Sequence, residues 1–446
     1  GLETMAGHPT SILCVADDET PSTSSPSPRI AISDMQVLLL AVETHGTSFH
    51  ISYGVPKCKL LVSARPSKKK QTLEILQNEP ESLTFFNKPV SLVEDNYIHL
   101  GVPQSLHNQS KVSTDHRLGK GQAMTYLMQP TTKNAYLGVS PITNNHLSRC
   151  YLLPIFMFGL ETQNINLLDL DRFDVEYRCV LKGMLSLPDS VASCAVYLTM
   201  GQLPITAERD IEVLALLGQL AACPSDLQNI TEIVKRNLTI YDIDFPGFSG
   251  VARRTAALYG LPDPLQYMEY PWVPKRWRAH VRETVTSYWN TLLREKVEVC
   301  DSLNLLDPSR LTTSSPHPIW KHAGSDALSV KKTCVVSWLL LGVFQTGERL
   351  LTTKKANSAQ CVLCHCLLDD RLHFMLSCPL LNDTREEFIC QMVANCPPLM
   401  NHLEFNEKFL IAIIDPESPK LPLDISTGWI DIPSAYQIGR NFVYSM

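Results

Sequence analysis

The chain has 446 residues, of which 44% are hydrophobic and 19% charged, and a formal net charge of −6. That length admits two to four domains with buried cores, and that composition belongs to a globular protein rather than a disordered tail or a fibrous repeat. The acidic balance argues against a surface given over to general nucleic-acid binding, while leaving room for local basic patches. The longest apolar run, Cys334 to Phe344, is too short to span a bilayer, so no membrane partner is expected. Fourteen cysteines are mostly scattered, and no charged-then-apolar leader follows Gly1-Leu2-Glu3-Thr4. Reduced thiols and an intracellular location, nucleus or cytoplasm, are the expectation.

In chain order, Ile12 to Ala16 reads as a strand that ends in adjacent carboxylates, Asp17 and Asp18. Neighbouring side chains of a strand point to opposite faces, so a tight turn here exposes at least one acid. Such acids suit a hard cation such as Mg²⁺, which takes oxygen ligands; the plain alternative is a solvated turn. Thr20 to Pro28 is rich in Pro, Ser and Thr and reads as a loop long enough to cost the returning strand. Ile32, Met35, Leu38, Leu39 and Val42 then mark one face of a helix to Thr44, which His45-Gly46 ends. Phe49, Ile51 and Tyr53 alternate as a strand does, and Lys57 to Val62 forms another. Lys68-Lys69-Lys70 reads as a solvated loop in preference to a phosphate contact.

Further on, Phe173, Tyr177, Val180, Leu181 and Met184 step at helical spacing until Pro188. Cys194 to Leu203 reads as a short strand-like or turn segment, and Thr206 to Leu220 as a helix with Ile211, Leu214, Leu217 and Leu220 inward. Pro262, Pro264, Pro271 and Pro274 are expected to break regular structure. A helix from Lys275 to about Val297 carries Trp277, Val281, Val285, Tyr288, Leu292 and Leu293 on one face and Arg278, Arg282 and Arg294 on another. Its aromatic stripe reads as core, with arginine contacts to phosphate as the competing reading. Tyr436 to Tyr444 is a final helix expected to pack back on the segment before it.

Cys361 and Cys364, two residues apart, are followed by His373 and Cys378 with four residues between them. Three thiolates and one imidazole at this spacing are a ligand set for four-coordinate structural Zn²⁺. His365 and Cys366 are the second choices for a ligand. The set leaves no open position, so structure or nucleic-acid contact is expected of it and not catalysis. A module with so little core would need metal to fold.

Five stretches taken together resemble the reverse transcriptases of non-LTR (LINE-type) retrotransposons. They are the Ala16-Asp17-Asp18 box, Pro56-Lys57-Cys58-Lys59, Tyr97-Ile98-His99-Leu100-Gly101, Phe158-Gly159-Leu160-Glu161 and the Cys-Cys-His-Cys set, in that order. The resemblance implies an α+β, helix-dominated fold. It comprises a partial polymerase palm sheet over 1–105, a helical thumb and connection over 106–245, and a Pro/aromatic-rich linker with an amphipathic helix over 246–330. A zinc module over 331–400 and a tail over 401–446 complete it. It further implies that Asp17 and Asp18 hold catalytic Mg²⁺ and that Leu100 and Gly101 lie in the hairpin that grips the primer. Lys59, Arg278 and Arg282 become candidates for contact with nucleic acid, and an RNA template and DNA primer become the partners. A polymerase also needs fingers and another metal-binding Asp on an earlier strand, so the chain reads as a fragment that does not polymerise alone. Two alternatives stand beside this reading: a non-catalytic RNA- or DNA-binding remnant, and a zinc-stabilised interaction protein. No feature of the sequence fixes an oligomeric state.

Overall fold

The computed structural model describes residues 2–3, 9–10, 12–15, 18–62, 66–79, 82–93, 96–105, 108–128, 139–223, 228–402 and 406–446. Helices dominate and the strands are short, which fits a helix-rich α+β class. The chain forms two compact units, each drawn from separated stretches. The first comprises Gly1–His116, Phe158–Asp169 and Asp210–Val281, and the second Arg117–Met157, Leu170–Arg209 and Arg282–Met446.

In the first unit, strand Ile12–Val15 pairs antiparallel with Asp18–Pro21, Val15 opposite Asp18. The returning strand expected to be lost is therefore present, and the loop begins after it. The helix Pro28–Ser48 starts on a proline, whose missing N–H costs nothing at the first turn. It runs past Gly46, which was expected to stop it; glycine is needed there because the Tyr53 ring occupies the place a β-carbon would fill. Ile32, Leu39 and Val42 from this helix, Leu76 from the helix Pro66–Asn78, and Leu83 and Phe85 form one buried cluster. Tyr53, Cys58, Leu60 and Leu92 pack against it.

Three further expectations are corrected in this unit. Phe49 to Tyr53 is not a strand: Phe49 and Ile51 are exposed and Tyr53 serves the helix. Lys68-Lys69-Lys70 is helical, not a loop, with Lys70 facing Glu74 one turn on. Among the described residues the strands pair only in twos, so no multi-stranded palm sheet is assembled.

The second unit buries Phe173, Tyr177, Leu181 and Met184 of the helix Leu167–Met184, as the spacing predicts. Cys194 to Met200 is a helix, Ser193–Met200, not a strand. All seven residues are buried, and a helix buried on every side shows no periodicity to read. The segment expected to be broken by prolines is largely helical: Pro264 and Pro274 open the helices Pro264–Glu269 and Pro274–Glu298. Proline breaks a helix from its interior and suits its first turn. The last helix, Ile432–Ser445, packs on Ala327–Leu340 and Asn382–Asn395, with Phe442 edge-on to Phe388.

Candidate metal centre

Cys361, Cys364, His373 and Cys378 each bring one ligand atom to a common point in the second unit, and these atoms all lie within 4.8 Å of one another. Such a cluster can hold a metal ion. His373 Nε2 sits 3.2 Å from Cys364 Sγ. Cys361 and Cys378 are buried, while Cys364 and His373 are half-buried.

Backbone hydrogen bonds explain how the first pair converges. The Cys361 N–H donates to the Cys366 carbonyl and the His365 N–H to the Cys361 carbonyl, each at 3.0 Å. Closing so small a loop forces His365 into the left-handed region, at φ +61°. The Gln360 side chain donates to the His365 carbonyl at 2.9 Å and steadies the turn. His365 and Cys366 are both exposed, so the second-choice ligands are set aside. Asp369 fastens the loop to the rest of the unit: its N–H donates to Ala359, its carbonyl accepts from Glu348, and its carboxylate accepts from the Gly347 N–H at 2.8 Å.

The second pair rides on the wide helical turn His373–Ser377. Asp370 Oδ1 caps it by accepting the His373 N–H at 2.6 Å, and the Cys378 N–H closes it onto the His373 carbonyl at 2.7 Å. Met375 and Leu376 are buried beneath, and Phe374 meets Phe344 at 5.6 Å between ring centres. Arg385 is buried, and donates from Nε to the Met375 carbonyl and from Nη2 to the Cys378 carbonyl, both at 3.0 Å. Burial pushes the Cys378 thiol up to about 11, and the neighbouring Cys364 and Cys361 thiols add to the rise. A cation among the sulfurs is what would reverse that and draw the protons off. At the tip, Val362 and Leu367 are 83% and 88% exposed, so the loop has little apolar burial of its own to hold it.

Other site residues fall elsewhere. Asp17 lies outside the described residues, and Asp18 opens the returning strand of the first hairpin. Lys59 is exposed on the short strand Lys59–Leu61, which pairs parallel with Ser91–Val93. Leu100 and Gly101 do form a hairpin turn, between Asn96–His99 and Val102–Ser105. Both have positive φ, +49° and +74°, as the tightest hairpin turn requires. Gly159 packs against this hairpin: a β-carbon there would stand 2.6 Å from Val102 Cγ2, so glycine is required. Gln109 holds the outgoing strand, donating to the Pro103 carbonyl at 2.7 Å and accepting the Ser105 N–H at 2.5 Å. The hairpin and the Phe158-Gly159-Leu160-Glu161 stretch, distant in sequence, are thus neighbours in the first unit.

Arg278 and Arg282 do not form an open cationic face. In the first unit Arg278 pairs with Glu212, and in the second Arg282 meets Glu208 at 3.1 Å. Both carboxylates lie on the helix Ile205–Ala221. Trp277 from the same stretch is buried in the first unit, donates to the Leu214 carbonyl at 2.7 Å and stacks on Tyr267. Trp277, Val281, Val285 and Leu293 are buried, as the spacing implied, while Leu292 is half-buried and Tyr288 is exposed. Arg385, Asp370 and Gln109 gave no sequence signal, because a single polar residue reads as surface until its partners, which lie elsewhere along the chain or on the backbone, are known.

No helix among the described residues is long and apolar enough to cross a membrane. No protein-family model, curated protein or solved structure matches the chain.

Proposed function

We propose that this chain carries the later part of a non-LTR retrotransposon reverse transcriptase and acts by itself as a nucleic-acid-binding segment built around a structural zinc ion. The convergence of Cys361, Cys364, His373 and Cys378 carries the reading. Tetrahedral zinc with bonds of about 2.0 to 2.3 Å sets its ligand atoms roughly 3.3 to 3.8 Å apart, which this cluster can adopt with small shifts. The hairpin at Leu100-Gly101, with Gly159 packed against it, is the second support. In this reading Asp17 and Asp18 are ligands for Mg²⁺, which would assist nucleotide transfer to a primer end. Nucleic-acid binding is the activity this reading puts to the test.

The test is a filter-binding titration of an RNA–DNA primer-template against salt, on protein whose zinc content has been measured. Expected are one zinc per chain and an affinity that falls steeply with salt, as phosphate contacts require. No binding at low salt would end the nucleic-acid reading, and absence of zinc would end the metal assignment.

One observation favours a second reading. Arg278 and Arg282 are tied to glutamates in a chain of net charge −6. A zinc-stabilised interaction protein with no nucleic-acid role would keep its arginines so. Zinc without salt-dependent binding is its signature.

A further inference from the structure

The second unit holds a cavity of about 210 Å³ whose walls carry charge. Arg149, Leu153, Gln202, Leu203, Glu208 and Arg282 line it. Arg149 comes from the wide helical turn Ser148–Leu152, and Leu153 follows that turn directly. Gln202 and Leu203 lie in the loop between the helices Ser193–Met200 and Ile205–Ala221. Glu208 stands in the first turn of Ile205–Ala221, and Arg282 on Pro274–Glu298.

Gln202 has no donor to spare for a ligand. It is buried, its Oε1 accepts from the Tyr177 hydroxyl, and its Nε2 donates to Ser148 Oγ at 2.8 Å and to Asn145 Oδ1. Both amide hydrogens are therefore spent. The guanidiniums are not. Arg282 turns Nη1 and Nη2 toward Glu208, at 3.5 and 3.1 Å. Arg149 donates from Nη2 to the Gly201 carbonyl and forms no ion pair among the described residues. A guanidinium carries five N–H donors in a planar fork that matches a carboxylate, so Arg149 keeps most of its donors for another partner. Its side chain is exposed, so that partner reaches it from solvent.

Two guanidiniums and one carboxylate leave the walls with one positive charge, which a single negative charge neutralises. Leu153 and the buried Leu203 supply an apolar wall beside it. An apolar cavity of about 150 Å³ takes up benzene, so this one has room for a ring-sized body with a charged group attached. We propose that the cavity binds a small organic monocarboxylate, its oxygens on the Arg149 guanidinium and its apolar body against Leu153 and Leu203. Glu208 sets the charge limit: it repels a dianion and keeps Arg282 engaged as it does so. The assignment does not rest on the reverse-transcriptase reading.

The experiment titrates the full chain with sodium benzoate in a calorimeter at constant ionic strength. Two comparators isolate the chemistry. Benzamide has the same shape without the charge, and dimethyl phosphate has one charge, as a nucleic-acid phosphodiester does, with little apolar surface. Expected is benzoate binding about tenfold tighter than either, the share of one charge-assisted bidentate pair. Arg149→Met should weaken benzoate about tenfold, for the same reason. Glu208→Gln, which keeps the side chain's shape, should tighten it about fivefold, because a like charge nearby is removed. No benzoate binding, or benzamide bound as well as benzoate, would overturn the proposal. So would an Arg149→Met protein with unchanged affinity, or a Glu208→Gln protein that binds benzoate no better. Dimethyl phosphate bound more tightly than benzoate would overturn the carboxylate assignment in favour of a phosphodiester. Should Arg149→Met fail to fold, Glu208→Gln and the two comparators decide.

Discussion

Asp415→Ala gives the sharpest test of what holds the second unit together. Asp415 ends the helix Glu407–Ile414, and its side chain is completely buried. It accepts from Arg310, from the Tyr436 hydroxyl at 2.9 Å, and lies 3.5 Å from His317 Nε2. One acid therefore joins the 308–317 loop to the final helix. Burial alone would push this carboxyl up, but His317, Arg310 and Tyr436 outweigh it and hold it at about 2 against an ordinary 3.8. That depression is worth about 2 kcal/mol of stability. Removal of the side chain costs more, roughly 3 to 5 kcal/mol, because the largely buried Arg310 charge is left without its carboxylate partner. Because the folded value is the lower one, the contribution is full above about pH 4 and fades as pH falls toward 2.

The assay is urea unfolding read by tryptophan fluorescence. Trp429 reports on the site, since its Nε1 donates to the adjacent Pro416 carbonyl at 3.0 Å. Arg310→Met combined with Asp415→Leu should recover part of the loss, because the guanidinium is then no longer left facing an apolar side chain, while His317 loses its acidic partner in both variants. A cost below about 1 kcal/mol for Asp415→Ala, or a double variant as unstable as the single, would refute this account.

Arg385→Met removes the donors to the Met375 and Cys378 carbonyls while keeping the bulk. Metal affinity should fall roughly 10- to 100-fold in competition with a chromophoric chelator, as loss of ligand-orienting partners does elsewhere. Leu100→Gly relieves a side chain held at φ +49° and should stabilise the Leu100-Gly101 turn by about 1 kcal/mol, read as slower amide exchange across the hairpin. Gly218→Ala places a β-carbon against the Trp277 ring and should destabilise the first unit by about 1 to 3 kcal/mol in thermal unfolding.

The legible parts of this protein were those written in local spacing. The stripe from Phe173 to Met184, the turn at Leu100-Gly101 and the ligand set at Cys361, Cys364, His373 and Cys378 each lie within one short continuous stretch of chain. Their periodicity or spacing states the geometry directly. The illegible parts depended on what packs against them. The helix at 193–200 is buried on all sides and so has no polar face to mark it. Gly46 makes room for a tyrosine from beyond the helix rather than ending it, and Pro264 and Pro274 stand in the first turns of their helices, where proline is tolerated.

The sequence by itself pointed to the cluster that could hold a metal ion, because a turn of fixed length can aim two sulfurs at one point whatever surrounds it. Only the tertiary structure decided between His373 and His365, put Arg385 behind Cys378, and paired Arg278 and Arg282 with glutamates. Those outcomes rest on residues brought together from separate stretches of chain, and distance along the chain carries no record of distance in space.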